Sequence, residues 1–140
     1  MQRSQIFLFL TTGQQMNTNP FLTDMRSALV LLEAELKMLG WWQTPSQKPS
    51  IEALNSKEPF CIDYLSFSEW LQWVYIPKMH AFMNQTGQLP KISGLLPIAE
   101  EAWKNTPKNL TRLHQIVDLL DKIIVGNHQT LLSALLSIQQ

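Results

Sequence analysis

The sequence has little of several residue types on which common binding sites depend. It contains one cysteine, Cys61, which leaves no partner for an internal disulfide, and its five glycines are scattered along 140 residues. Loops that bind phosphates or dinucleotides need clustered glycines, so this class of site is excluded. A lone cysteine favours a reducing compartment. We therefore expect a cytoplasmic protein in which Cys61 is a buried apolar residue.

Charged side chains are also scarce. They make up 16% of the chain, and 11 basic residues balance 11 acidic residues. The balance is local as well, because no block of like charge occurs. Proteins that bind nucleic acid directly or dock on anionic membranes rely on clustered lysine and arginine. We therefore expect neither nucleic acid nor a membrane as a direct partner.

Long apolar runs and catalytic signatures are absent too. No stretch approaches the roughly 18 apolar residues that span a bilayer. Residues 6–10 follow Arg3 like the start of a secretory signal, but the run is short and no small-residue cleavage site follows. His80, His114 and His128 lie far apart in the sequence and form no local metal-binding motif. We predict no cofactor and no metal.

Helical periodicity is what the sequence does contain, and it predicts an all-α bundle of four or five helices in a single domain. We assign residues 1–19 to an N-terminal extension, 20–126 to the bundle and 127–140 to an additional C-terminal helix. The first helix spans residues 23–39, with Thr23 or Asp24 as its cap. Gly40 ends it in a left-handed conformation, and Trp41 and Trp42 fold back on its end.

The second helix is predicted to begin at a capping box formed by Ser66 and Glu69. It runs into Pro77, where it kinks or stops and restarts, and it ends at Gly87. A third helix covers residues 95–103. A fourth begins at residues 106–107, a threonine–proline pair typical of a helix start.

The chain after Gly126 continues the apolar phase of the fourth helix, and two outcomes are open. Either residues 126–127 break the chain into a helical hairpin, or one long helix runs to the end. A long helix would favour a homodimer through this C-terminal segment, because its apolar stripe would need a partner.

Aromatic residues concentrate between residues 60 and 83, where we place the candidate binding site. In a continuous helix, Trp70, Trp73, Pro77 and His80 share one stripe. Such a stripe is either core packing or a face for an unknown protein or small ligand. The candidate binding residues are Asp63, Glu69, Trp70, Gln72, Trp73, Pro77, Lys78 and His80. We assign no catalytic residue.

The same segment resembles the YqcC-like family, small bacterial proteins of uncharacterised function with a helical-bundle fold. The resemblance covers residues 22–125, and the family typically has arginine where this chain has Lys78. The motifs that carry it are Pro59-Phe60, Asp63, Glu69-Trp70-Leu71-Gln72-Trp73, Ile76-Pro77-Lys78-Met79-His80 and Leu89-Pro90. It implies a fold but no reaction. Genes of the family often lie beside that of a tRNA pseudouridine synthase.

Three hypotheses for function follow. The first is a non-enzymatic interaction or small-ligand-binding module that uses the face formed by Trp70, Trp73 and His80. The second is an accessory protein linked to tRNA pseudouridylation, which the resemblance suggests. The third is an enzyme in which Asp63, Glu69 and His80 converge, and it requires these groups to lie within hydrogen-bonding reach.

Overall fold

The computed structural model describes residues 18–139, with side chains up to residue 137, and all regular secondary structure in this range is helical. The predicted all-α class is confirmed. The α-helices are α1 (Leu22–Met38), α2 (Ile51–Leu54), α3 (Phe67–Trp70), α4 (Ile76–Thr86), α5 (Leu95–Trp103), α6 (Thr111–Val125) and α7 (Gln129–Gln139). Short 3₁₀ turns span Pro45–Gln47 and Pro59–Cys61. The apolar residues 6–10 lie outside the described range.

The core is built around α1 and α6, which pack along each other, with α5 against α6. Most of the periodic apolar residues of both helices are buried, because one stripe of each helix faces the other, while Leu39 and Ile124 are half-buried. The buried residues of α1 and α6 are Met25, Ala28, Leu29, Leu31, Leu32, Leu36, Leu113, Ile116, Val117, Leu119, Leu120 and Ile123. Within residues 18–139, no helix combines the length and apolar character needed to cross a membrane.

The C-terminal end of α1 follows the prediction. Gly40 has a φ of 77°, and the N–H of Trp41 donates to the carbonyl of Leu36 over 2.9 Å, the pattern of a Schellman cap. Trp41 and Trp42 fold back onto the core. The Lys37 ammonium lies 5.5 Å from the centre of the Trp42 ring.

The predicted cap at the start of α1 is wrong. Phe21 is the N-cap and makes no side-chain cap bond. Its N–H is instead taken by the side-chain oxygen of Asn19, 2.8 Å away. Thr23 and Asp24 lie inside the helix, and the Asp24 carboxylate bonds the imidazole Nε2 of His128 at 2.8 Å. Asp24, one of the two predicted caps, therefore bonds a histidine from a distant part of the chain instead of capping the helix.

The predicted start of α6 is also wrong, because the helix begins at Thr111 rather than at residues 106–107. The side-chain oxygen of Asn109 accepts the Thr111 N–H at 3.1 Å. Leu110, the N-cap, is buried in the core. The chain therefore turns after Pro107 to bury this leucine, and the asparagine supplies the terminal acceptor.

Gly126 breaks the chain into a helical hairpin, which decides between the two open outcomes. It has a φ of 74°, and a Cβ there would lie 3.2 Å from the Phe21 ring. The following helix, α7, buries Leu132 and Leu135 in the same core. The apolar stripe that suggested a homodimer therefore has a partner within the chain. The homodimer itself stays a prediction.

The helix does not stop and restart at Pro77, because a π-helical turn, Leu71–Tyr75, joins α3 to α4 without a break. In this turn the N–H of Ile76 donates to the carbonyl of Leu71, five residues earlier. The wider turn places the proline, which has no N–H, near the start of α4 where it is tolerated. The continuous α3–α4 helix ends at Gly87, as predicted, and Gly87 is a left-handed cap with a φ of 66°.

Candidate functional site

The capping box at the start of α3 is confirmed and occupies one oxygen of Glu69. The N–H of Ser66 donates to Glu69 Oε1 at 2.8 Å, and the N–H of Glu69 donates to the Ser66 hydroxyl at 3.3 Å. Glu69 therefore has a structural role at the helix start, and only its second oxygen points to other partners.

Gln43 is the residue that brings three of the predicted site residues together. Its side-chain amide donates to Glu69 Oε2 at 2.8 Å, and its side-chain oxygen accepts the Trp73 indole N–H at 2.7 Å. Its backbone N–H donates to Gln72 Oε1 at 2.8 Å, and its carbonyl accepts the Gln72 amide at 2.9 Å. Four hydrogen bonds thus tie the loop after α1 to the α3–α4 helix.

Sequence reasoning missed Gln43, and no local signal could have identified it. Its partners lie 26 to 30 residues away along the chain. The bonds satisfy Gln72, which is buried, and the indole N–H of Trp73. Buried polar groups need such partners, so these two predicted site residues hold the loop in place through their polar atoms.

A groove of about 480 Å³ opens beside this network, and we call it the polar groove. The loop after α1 contributes Trp41 and Trp42, and the start of α3 contributes the Glu69 carboxylate. Trp103, at the end of α5, forms part of the wall. The groove therefore combines indole faces with one negative charge.

Trp70 and Trp73 are both half-buried, and both pack on a small satellite cluster that contains Cys61 and Val74. Trp70 also packs on the main core and against Phe60 and Tyr75, with ring centres 4.9 and 5.7 Å away. The π turn widens the helix between them and alters the spacing that a shared α-helical stripe assumes.

The remaining predicted residues lie outside the network. Asp63 is exposed and accepts the Ser56 hydroxyl at 2.5 Å. Pro77 and Lys78 are exposed, and His80 is half-buried. No hydrogen bond joins His80 to Asp63 or to Glu69 among the described residues. An acid–base set built from these three groups is not assembled there.

No group of three or more histidine, cysteine, aspartate or glutamate residues that could hold a metal ion occurs among residues 18–139. Cys61 is buried, as its apolar surroundings predicted. Its φ of 51° and that of Phe60, 57°, are unusual for residues with a Cβ. The chain therefore takes a strained path where it places the Phe60 ring against Trp70.

A second cavity of about 320 Å³, the aromatic cleft, includes Trp70 in its lining. Phe60, Trp70, Tyr75 and Met79 form one wall, and the loop before α5 forms the other with Ile92. The lining includes no charged residue. Most of the aromatic residues in this wall belong to the segment in which the sequence placed the candidate binding site. The sequence did not predict that the loop before α5 faces them.

Tyr75, in the wall of this cleft, has a buried hydroxyl with no hydrogen-bond partner among the described residues. Burial raises the pKa of this phenol well above its usual range, and the nearby Asp121 carboxylate raises it further. The phenol therefore stays protonated throughout the physiological pH range. It supplies neither a base nor a nucleophile to the cleft.

Fold and site together define a small all-α module with a polar groove and an aromatic cleft. The sequence model of the DUF446 family, which is described as tRNA pseudouridine synthase C, matches residues 24–123, and the chain belongs to this family. The YqcC-like resemblance is confirmed by the same match and by the relatives.

Three curated bacterial relatives are similar to this chain. An uncharacterised protein of Haemophilus influenzae is 44% identical over 73 residues, 52% of this chain and 67% of the relative. The uncharacterised protein YqcC of Escherichia coli K12 is 36% identical over 78 residues, 56% of this chain and 70% of the relative. No solved structure matches.

The third relative is much longer than the aligned region. It is a protein of Pectobacterium carotovorum named tRNA pseudouridine synthase C, and it is 36% identical over 89 residues. The alignment covers 64% of this chain but only 23% of that protein. Most of the named synthase therefore lies outside the part that this chain resembles.

Proposed function

We propose that this chain is a non-enzymatic interaction module of the bacterial cytoplasm that acts as an accessory protein of a tRNA pseudouridine synthase. The observation that carries the proposal is the long relative from Pectobacterium carotovorum. A region similar to 64% of this chain makes up 23% of a protein named as such a synthase. Two regions joined in one polypeptide are held at high effective concentration, which favours their acting together.

The geometry supports an accessory role over a catalytic one. Both Glu69 oxygens accept hydrogen bonds from Ser66 and Gln43, so this carboxylate has a full structural role. Asp63 bonds Ser56 instead of a histidine. General acid–base catalysis needs its groups within hydrogen-bond reach of one substrate position. The aromatic surfaces beside Trp70 and Trp42 suit recognition of another molecule.

The charge balance favours the synthase over tRNA as the direct partner. Electrostatic capture of a phosphate backbone requires a surplus of lysine and arginine. This chain carries 11 basic and 11 acidic residues. We therefore assign the contact with tRNA to the synthase and a protein–protein contact to this chain.

The proposal is tested with the purified chain and the purified tRNA pseudouridine synthase C of the same organism. We expect a complex in sedimentation velocity without added tRNA. We also expect less pseudouridine at the synthase's target position in tRNA from a strain that lacks the gene. Mass spectrometry of that tRNA measures the difference. If no complex forms and the pseudouridine content is unchanged, the accessory role is wrong.

A further inference from the structure

We propose that the module binds the synthase through the Ile92 face, which consists of Phe82, Pro90, Ile92 and Ile124 with the clefts between them. This inference rests on the proposed association with a synthase and names the surface that makes it. The occupant is an apolar side chain of the synthase with an acidic residue beside it. The face lies where the loop between α4 and α5 crosses the end of α6.

The most exposed large apolar side chain among the described residues lies at this face. Ile92 is 87% exposed, and Phe82 is 38% exposed. The loop packs against the core on both sides of Ile92, because Leu89 and Leu95 are buried. The Ile92 side chain itself nevertheless faces the solvent. Covering such a side chain with a partner removes apolar surface from water, which favours association.

Clefts on both sides of the loop complement the protruding isoleucine. The aromatic cleft lies on one side, and a cavity of about 690 Å³ that includes Phe82 and Lys91 lies on the other. Pro90 and Ile124 line both cavities. A protruding apolar side chain between two depressions matches the arrangement of interface hot spots, in which anchors fill pockets of the partner.

The wall of the aromatic cleft is held by two irregular stretches of backbone. Phe60 has a φ of 57° and packs edge-on to Trp70. The π turn Leu71–Tyr75 sets the position of the Tyr75 ring. Irregularities of both kinds cluster at functional sites because they have a conformational cost that packing must offset. Both occur here in the same wall.

Charge at the rim indicates the chemistry of the partner. Lys91 is the charged residue among those that line the two clefts, and it is exposed next to Ile92. A carboxylate of the synthase facing Lys91 would complement it, whereas a basic group would be repelled. The occupant is therefore an apolar side chain flanked by an acidic residue.

The test compares dissociation constants of the full chain and its variants for the synthase by isothermal titration calorimetry. Ile92→Asp places a charge at the centre of the face and is expected to weaken binding by at least about tenfold. Lys91→Glu is expected to weaken it several-fold. Ile62→Asp is the matched control, because Ile62 is 72% exposed, outside the α-helices and outside both clefts, and should leave the affinity unchanged. Circular dichroism checks that each variant folds.

The outcomes separate the two proposals. If the wild-type chain does not bind the synthase, the proposed function is wrong. If it binds and Ile92→Asp binds equally well, or if Ile62→Asp weakens binding as much, the function stands and the assignment of the face is overturned. Sedimentation of the free chain tests a second copy as the occupant. A wild-type dimer that Ile92→Asp converts to a monomer would also overturn the assignment.

Discussion

At the scale of single residues, Tyr75 carries a cost that its surroundings do not offset. Its hydroxyl is buried without a hydrogen-bond partner among the described residues, and such a group loses its water without gaining a replacement. Its ring packs against Trp70. The ring and the hydroxyl therefore act on stability in opposite directions.

We predict that Tyr75→Phe stabilises the fold by about 1 kcal/mol at neutral pH, because it removes the unsatisfied hydroxyl and keeps the ring. Urea unfolding followed by circular dichroism measures the change. The control is Tyr64→Phe at the other tyrosine, which is exposed and should change stability little. A loss of stability in Tyr75→Phe would show that the hydroxyl makes a favourable contact.

The same tyrosine predicts a pH dependence. Burial raises the pKa of Tyr75 in the folded state above its ordinary value of about 10. The unfolded chain therefore releases the phenolic proton first as the pH rises, and folding stability falls above about pH 10. Tyr75→Phe has no phenolic proton to release at this position, so its folding stability should not fall for this reason. Melting temperatures at about pH 8 and pH 11 should diverge between the wild type and the variant, and parallel shifts would contradict the assignment.

Residue-scale features were predictable where they depend on near neighbours. The capping box of Ser66 and Glu69 and the left-handed Gly40 follow from spacing within one helical turn. Gln43 was not predictable, because each of its side-chain partners lies more than 25 residues away. The candidate site was therefore recognised as a segment, while the residue that organises it was missed.

At the scale of elements, α5 begins on a side chain from another helix. Asp121 of α6 accepts the N–H groups of Leu95 and Leu96, each at 2.9 Å, and of Gly94 at 3.2 Å. It also accepts the Ser93 hydroxyl. The carboxylate thus satisfies the free amides at the helix start and complements its positive end.

We predict that Asp121→Ala destabilises the protein by about 1 to 3 kcal/mol, because several amides at the start of α5 lose a charged acceptor. Asp118→Ala is the matched control on the same helix. Asp118 pairs with Lys122 four residues on, a pair worth only about 0.5 kcal/mol. The free energies of unfolding of the two variants, measured by chemical denaturation, test this prediction. Equal losses would show that Asp121 acts as an ordinary surface charge.

The elements themselves were predicted unevenly. The bounds of α5 matched residues 95–103, because its apolar period and flanking residues define it locally. The start of α6 was misplaced because burial of Leu110 and the Asn109 side chain outweigh the threonine–proline signal. The π turn was not foreseen, since the missing N–H of Pro77 is compatible with a kink, a break or a wider turn, and residue spacing does not choose among them.

At the scale of the whole molecule, the even charge balance affects which partners the protein can bind. A protein without a basic surplus releases few counterions when it meets a phosphate backbone. The proposed contact at the Ile92 face instead depends on apolar burial, with one lysine at its rim. Binding of the synthase and binding of tRNA should therefore respond differently to salt.

We predict that the isolated chain binds tRNA no more tightly than about 10⁻⁴ M at physiological salt, in the weak non-specific range. Fluorescence anisotropy with labelled tRNA measures this affinity. A basic RNA-binding domain of similar size serves as the control for the probe. Tight binding that falls steeply with salt would contradict the assignment of the tRNA contact to the synthase.

The sequence alone determined the helical class, the buried faces of α1 and α6, and the glycine ends of α1 and α4. These features depend on interactions between residues within about four positions, which a sequence displays directly. Tertiary structure decided the Gln43 network, the Asp121 cap of α5, the pairing of His128 with Asp24 and the cleft beneath Ile92. The hydrogen-bonded groups among these lie at least 25 residues apart, and only the folded chain brings such groups into contact.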